Sequence, residues 1–180
     1  MMNTEFRLER ALATEGWMTE AELLFLAERA NKAQVIFEIG SYKGRSTRAM
    51  ADNTDGKIYA IDPWSHINVN QHDLMELDRH QVFNQFYCNM FTHIESGKVI
   101  ICPYAWENYR PVEEADFIFI DGDHRYANVV QDIHKALSHL RRGGIISGHD
   151  YRESFPEVRQ AVDEIFGHIN QVDAIWWKHV

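Results

Sequence analysis

Short apolar runs that end in a glycine or an acid alternate along this chain with amphipathic stretches, a pattern that predicts strand, loop and helix in repeating order. From Thr19 to about Asn31, apolar Ala21, Leu23, Leu24, Leu26 and Ala27 recur at helical spacing, and Thr19 with Glu22 forms a capping-box pattern at the start. Val35 to Gly40 reads as the first strand, 44–51 as the helix after it, and Lys57 to Asp62 as the second strand. A helix is expected from about His72 to Phe91, on which Phe83, Phe86, Tyr87 and Phe91 read as core, and a third strand at Val99 to Cys102. Asp116 to Asp121 is apolar between two acids, as expected of a central strand buried on both faces. Val129, Val130, Ile133, Ala136, Leu137 and Leu140 mark a helix expected to stop at Arg141-Arg142-Gly143-Gly144, before a strand at Ile145 to Gly148. Ser154, Pro156 and Glu157 predict a capped helix through about Phe166, and the tail from Gln171, with Trp176-Trp177, a strand covering the sheet edge.

Strands alternating with helices argue for an α/β, Rossmann-like, doubly wound and mostly parallel sheet with helices on both faces. The expected organisation is a single domain over 1–180, with a helical lead-in at 1–33 and the core at 34–180. In such sheets ligands bind outside the carboxyl ends of the strands, so chemistry is sought just after each strand.

Composition narrows the classes. A chain of 180 residues with 45% hydrophobic and 25% charged positions can bury one proper core. Its formal net charge of -9 opposes a phosphate backbone, and Arg141-Arg142 is too small a basic patch to reverse that field. Cys88 and Cys102 form no CxxC pair, which argues against a zinc site or redox dithiol and fits a reducing, cytoplasmic compartment. Met1 to Arg10 is charged and lacks the apolar stretch of a signal peptide.

The most informative stretch is Glu38-Ile39-Gly40-Ser41-Tyr42-Lys43-Gly44-Arg45-Ser46-Thr47, whose glycines let the backbone turn sharply and approach a ligand. A dinucleotide fingerprint needs glycine where Tyr42 stands, and a P-loop needs one more residue and a lysine where Arg45 stands. S-adenosylmethionine (SAM) carries an ammonium and no phosphates, so an acid at the first strand's end, Glu38, becomes useful. A second acid, Asp62, can accept hydrogen bonds from ribose hydroxyls. Trp64 to Gln71 is a polar loop long enough to act as a lid.

On these residues the chain resembles the small class I SAM-dependent methyltransferases of the Methyltransf_24 type, related to macrolide sugar O-methyltransferases and cephalosporin-hydroxylase-like proteins. The resemblance runs from Gly16-Trp17 onward through Glu38-Ile39-Gly40-Ser41, Gly44 to Thr47, Ile61-Asp62-Pro63-Trp64, Phe119 to His124 with Tyr126, and Gly143-Gly144 leading to Gly148-His149-Asp150-Tyr151. It implies that Glu38 and Gly40 border the methionine moiety, that Asp62 holds the ribose, and that Trp64, Tyr104 and Ala105 lie near the adenine. Ser41, Gly44, Ser46 and Asp121 complete the expected cofactor contacts. Plain packing is the alternative for Trp64 and Tyr104.

Asp121, Asp123 and His124 follow one strand and His149-Asp150 the next, so neighbouring parallel strands would bring them to one mouth. Asp121, His124 and His149 are the catalytic candidates. In the resembling sugar enzymes, acids matching Asp121 and positions 149 and 150 hold Mg2+, which marks Asp121, His149 and Asp150 as candidate metal ligands. His149 departs from that pattern, because imidazole suits softer ions such as Mn2+ better than Mg2+. The alternative is structural: Asp121 and Asp123 cap the next helix while His149 bonds to backbone.

The function expected is SAM-dependent O-methylation of a small sugar-like or secondary-metabolite hydroxyl. Two rivals stay open: a non-catalytic binder of SAM or S-adenosylhomocysteine (SAH), and a metal-dependent hydrolase or hydroxylase built on Asp121, His149 and Asp150. A small-molecule acceptor is the expected partner, with neither nucleic acid nor membrane involved and a homodimer left open.

Overall fold

The computed structural model describes residues 5–64 and 79–180. The expected lid beyond Trp64 and the start of the helix expected from His72 lie outside them. In chain order the elements are α1 (Glu9–Ala13), α2 (Glu20–Ala30), β1 (Val35–Ile39), α3 (Arg45–Ala51), β2 (Lys57–Ile61), α4 (Arg79–Glu95), β3 (Val99–Cys102), β4 (Ala115–Ile120), α5 (Tyr126–Leu137), β5 (Leu140–Gly148), α6 (Pro156–Phe166), β6 (Asn170–Val172) and β7 (Ile175–His179).

The described strands form one seven-stranded sheet in the order β3-β2-β1-β4-β5-β7-β6. β3 through β5 run parallel, while β7 pairs antiparallel with β5 and with β6. The order reverses between β1 and β4, and β1 pairs directly with both β2 and β4. That reversal opens a crevice at the carboxyl ends of these strands, where open α/β sheets bind ligands.

Both faces of the sheet are buried, which explains why its strands read as continuous apolar runs. Alternate residues serve opposite faces: Ile36, Ile58, Phe117 and Phe119 pack with the apolar sides of α1 to α4. Phe37, Ile61, Ile118 and Ile120 pack with α5 and α6. Each such side chain contributes about 1.5–3 kcal/mol on burial, so the central strands carry much of the fold's stability.

Four local readings are corrected. α5 stops at Leu137, and Arg141-Arg142 lie in β5, where Leu140 already pairs with Ala115 and Arg141 Nη1 meets Asp116 Oδ1 at 2.8 Å. Backbone pairing extends this strand past its buried part, so its exposed polar start gives no apolar signal. No capping box forms at Ser154: the N-cap of α6 is Phe155, and the Glu157 carboxylate accepts instead from the Tyr126 main-chain N–H at 2.8 Å. The tail is a hairpin whose β6 lies at the edge, and Trp176 is buried inside it against Gly148. On α4 the core face is Val82, Phe86 and Met90, whereas Phe91 is exposed.

Candidate active site

The turn after β1 is shaped by two contacts that need particular residues. Gly40 has φ +85°, and a Cβ there would sit 2.0 Å from the Asp121 main-chain oxygen. The β1 turn therefore crosses the end of β4 at a distance only glycine allows, held by Asp121 N–H donating to Ile39 O at 2.7 Å. Tyr42 (φ 48°), Trp64 (φ 43°) and Asp150 (φ 61°) also adopt the left-handed conformation, uncommon for non-glycine residues. All three follow the carboxyl ends of strands lining the crevice.

Asp62 fixes the same turn from β2. Its Oδ2 accepts from the Ser41 and Tyr42 main-chain N–H groups, both at 2.9 Å, and its Oδ1 from Trp64 N–H at 2.7 Å. Burial raises its pKa against the opposing pull of these three donors. A carboxylate offers about four lone-pair sites, so this one keeps room for about one further donor rather than for a two-oxygen grip on a ribose.

Glu38 is completely buried. Ser46 Oγ donates to its Oε1 at 2.6 Å, and Ser41 Oγ at 2.7 Å and Thr47 Oγ1 at 2.5 Å donate to its Oε2. Burial pushes its pKa up to about 7, even though the three hydroxyls favour the charged form. Glu38 and Ser46 thus spend their polar atoms on each other, tying β1 to the first turn of α3 beneath the crevice. Gly44, with φ +90°, is the N-cap of α3 and lies against Phe86 and Met90.

Trp64 is buried, its ring 4.8 Å from Phe86 and 5.2 Å from Phe83, with Nε1–H donated to Tyr42 O at 2.9 Å. Tyr104, just beyond β3, is 54% exposed beside Tyr109, and Ala105 follows it. Of the two aromatic residues expected near an adenine, Tyr104 alone presents open ring surface.

The parallel pairing of β4 with β5 brings the acids and histidines together. His124 Nε2 lies 2.8 Å from Asp150 Oδ2, and the other Asp150 oxygen accepts from Arg152 Nη2 at 2.8 Å. His149 Nδ1 lies 3.4 Å from Asp150 Oδ1 and 3.7 Å from Asp121 Oδ1. Its Nε2 faces Glu22 Oε1 of α2 at 3.2 Å. Burial alone would lower the His149 pKa, but hydrogen bonds to Asp150 and Glu22 and the charge of Asp121 outweigh it and push it to about 10. Burial would likewise lower His124, and the Asp150 contact reverses that. Burial raises Asp121, and its neighbour Asp150 adds to the rise; burial would raise Asp150 too, but its two histidines hold it below the usual carboxylate range.

Asp123 turns outward to Arg125 and Asn128, and its pKa falls to about 2 through the Arg125 contact. It organises the start of α5 rather than the crevice. Asp121, His124 and Asp150 each present one donor atom within 4.8 Å of the others, which makes them the candidate cation ligands among the described residues. His149, placed beside Asp121 and Asp150 by the resemblance, does lie there, with Nδ1 toward both carboxylates and Nε2 toward Glu22, while His124 is the histidine grouped with them. Glu22 was legible only as half of a capping box; nothing local signals a contact made 127 residues away.

A parallel sheet reversing beside β1, a glycine turn clasped by an acid from β2, and an acid–histidine cluster beyond β4 and β5 meet at one crevice. Residues 37–151 match the Methyltransf_24 family, a methyltransferase domain, and the chain belongs to that family. It is 28% identical over 135 residues to the uncharacterized protein R132 of Acanthamoeba polyphaga mimivirus, a match covering 73% of this chain and 59% of that protein's length. Its fold is similar to the O-methyltransferase of Bacillus cereus in complex with SAH (20% identity, 95% of this chain and 86% of that one, TM-score 0.65). It is also similar to the O-methyltransferase TomG of Streptomyces achromogenes, involved in tomaymycin synthesis, in complex with SAM (14% identity, 89% and 80% coverage, TM-score 0.63). No helix among the described residues is long and apolar enough to cross a membrane.

Proposed function

We propose that this chain transfers the methyl group of SAM to a hydroxyl of a small acceptor, sugar-like or a secondary metabolite, with His124 as the general base. The observation that carries the reading is the His124–Asp150 pair at the mouth of the crevice: His124 is 35% exposed while its partner carboxylate is buried. With Nε2–H donated to Asp150, the other ring nitrogen, Nδ1, is the one that takes a proton. The acceptor oxygen attacks the sulfonium methyl in line, the O–CH3 bond forms as the S–CH3 bond breaks, SAH leaves as a neutral thioether, and the hydroxyl proton passes to His124. Alignment supplies much of the rate, since the donor is already activated.

The Ser41–Gly44 turn and Asp62 form the cofactor cradle in this reading, with Glu38 shaping the turn from below and Tyr104 and Ala105 beside the adenine. Asp121, half-buried with its carboxylate toward the same mouth, is the acid that would face the positive end of the cofactor, and it lies 3.7 Å from His149 Nδ1. Were a divalent cation bound, Asp121, His124 and Asp150 would hold it and it would supply a Lewis acid for the acceptor oxygen in place of the base, because the one free lone pair of His124 would then belong to the metal. The net negative charge and the acidic mouth support a small polar acceptor over nucleic acid.

The test is incubation with methyl-labelled SAM and a panel of hydroxylated acceptors. Label is expected in one acceptor class, and His124→Ala should lower that transfer about 100-fold or more, within the range for losing a general base, while SAH binds as before. Turnover of an acceptor without any need for SAM would instead identify a hydrolase or hydroxylase. SAH binding with no transfer across the panel, or transfer unaffected by His124→Ala, would remove the assigned base.

A further inference from the structure

Helix α2 reaches the catalytic mouth through one side chain. Glu22 is its third residue, and a carboxylate at that point of a capping box ordinarily stands at the surface, bonded back to the N-cap. Here it is 2% exposed, within a protein whose other side of the contact, His149, is 5% exposed. Its Oε2 accepts from Thr19 N–H at 2.8 Å, completing the capping box. Its Oε1 accepts from Ala174 N–H at 2.8 Å, in the turn between β6 and β7, and lies 3.2 Å from His149 Nε2.

A carboxylate withdrawn from water costs several kcal/mol unless donors replace the lost solvent. Capping α2 would not require that burial, because the same carboxylate could cap from the surface. What burial adds is an acceptor for the Ala174 N–H, which ties α2 to the tail hairpin, and a fixed partner for one nitrogen of one imidazole. With Nε2 committed to Glu22, the His149 ring cannot turn over, and Nδ1 is directed at Asp150 and Asp121. Asp150 in turn holds His124. The contacts form a line from α2 to the mouth: Glu22, His149, Asp150, His124.

We propose that Glu22 is a positioning residue of the active site, locking the His149 ring through Nε2 so that Nδ1 sets the Asp121 and Asp150 carboxylates and, through Asp150, the orientation of His124. The inference rests on the crevice being the methyl-transfer site. Glu22 touches neither substrate nor cofactor in this scheme; it acts only through His149. The arrangement follows the general rule that the bond made by one ring nitrogen decides what the other can do. It also assigns a role to the helical lead-in that precedes the sheet, which supplies the anchor for the histidine just beyond β5.

The full chain labelled with 15N-histidine, with SAH added, provides the test, read as the ring N–H signals of His149 and His124 and their exchange with water. His149 should carry a proton on Nε2 that exchanges at least tenfold more slowly than that of a free imidazole. Glu22→Gln should lose tenfold or more of that protection, because a neutral acceptor is about half as strong, and should move the His124 ring signals as well. Thr19→Ala removes the cap hydroxyl and its bond to Asp173 Oδ2 and lowers the melting temperature, but leaves the Glu22 carboxylate with its Ala174 N–H and His149 partners, so both histidines should keep their wild-type signals.

A His149 without a proton on Nε2 in the unaltered chain overturns the proposal, which keeps it testable even where Glu22→Gln does not fold. Unmoved histidine signals in Glu22→Gln, or equal changes in Glu22→Gln and Thr19→Ala, do the same. Failure of the unaltered chain to bind SAH sinks the methyl-transfer reading and this inference with it, whereas SAH binding with unmoved signals sinks the role of Glu22 alone.

Discussion

Gly40→Ala is expected to destabilise the chain by at least about 3 kcal/mol, lowering its melting temperature by roughly 10 °C, the largest effect of any single methyl group added here. Two penalties coincide at this position. The added Cβ would lie 2.0 Å from the Asp121 carbonyl oxygen, and φ is +85°, where side chains other than glycine's are strained. Neither is easily relieved. The clashing atom is backbone, and it belongs to the end of β4, whose neighbouring N–H is bonded to Ile39 O. Relief would require β1 and β4 to separate where they line the crevice, so the variant should lose SAH affinity along with stability. Gly143→Ala is the control: its φ is +82°, but nothing lies within 4 Å of the added methyl, so it carries the conformational strain alone. Thermal melts of the two variants separate the contributions. Equal melting temperatures would mean that the close passage of the two chain segments is not a constraint.

Asp62→Ala is expected to weaken SAH binding by about 100-fold or more, measured by calorimetric titration. The carboxylate receives three main-chain N–H groups, from Ser41, Tyr42 and Trp64. Hydrogen bonds to a charged group contribute about 1.5–3 kcal/mol each, and donors left unpaired in a buried turn add a further cost. Part of that loss falls on folding and part on the turn's shape, which the cofactor meets. Asp62→Asn keeps one acceptor oxygen and should fall between the two, near a tenfold loss, since a neutral acceptor is about half as strong. Unaltered SAH affinity in Asp62→Ala would show that the cofactor does not use this turn.

Much of the architecture was legible because each central strand has both faces covered. Phe117 to Ile120 carries apolar side chains toward both layers, and so does Val35 to Ile39 except at Glu38, so a short apolar run was the right signal for them. The convergence of Asp121, His124, His149 and Asp150 was legible for a topological reason: parallel neighbours end on the same side, and each of these residues follows a strand end. Glycine at position 40 was read as permission for a close approach to ligand. In the structure it is first a close approach to another strand.

Three contacts escaped the local pattern for one reason, long-range pairing that leaves no local trace. Arg141 and Arg142 look like cations closing a helix until backbone bonds to β4 draw the chain into a strand. Glu157 looks like half of a capping box until the Tyr126 main chain, 31 residues distant, claims its carboxylate. Glu22 forms its box as expected, yet its second oxygen belongs to His149, just beyond β5, and to the tail hairpin. A carboxylate has two oxygens, and the sequence near it specifies a partner for only one.

The roles of acids and glycines here converge on one claim, that the turn after β1 and the Asp62 carboxylate together receive an adenosyl cofactor. A crystal structure of the chain grown with SAH tests it directly. Electron density for the ligand is expected along the Ser41–Gly44 turn, with a ribose hydroxyl on Asp62 and the sulfur facing Asp121 and His124. Ligand density at any other place, or a crevice without it at saturating SAH, would overturn that claim.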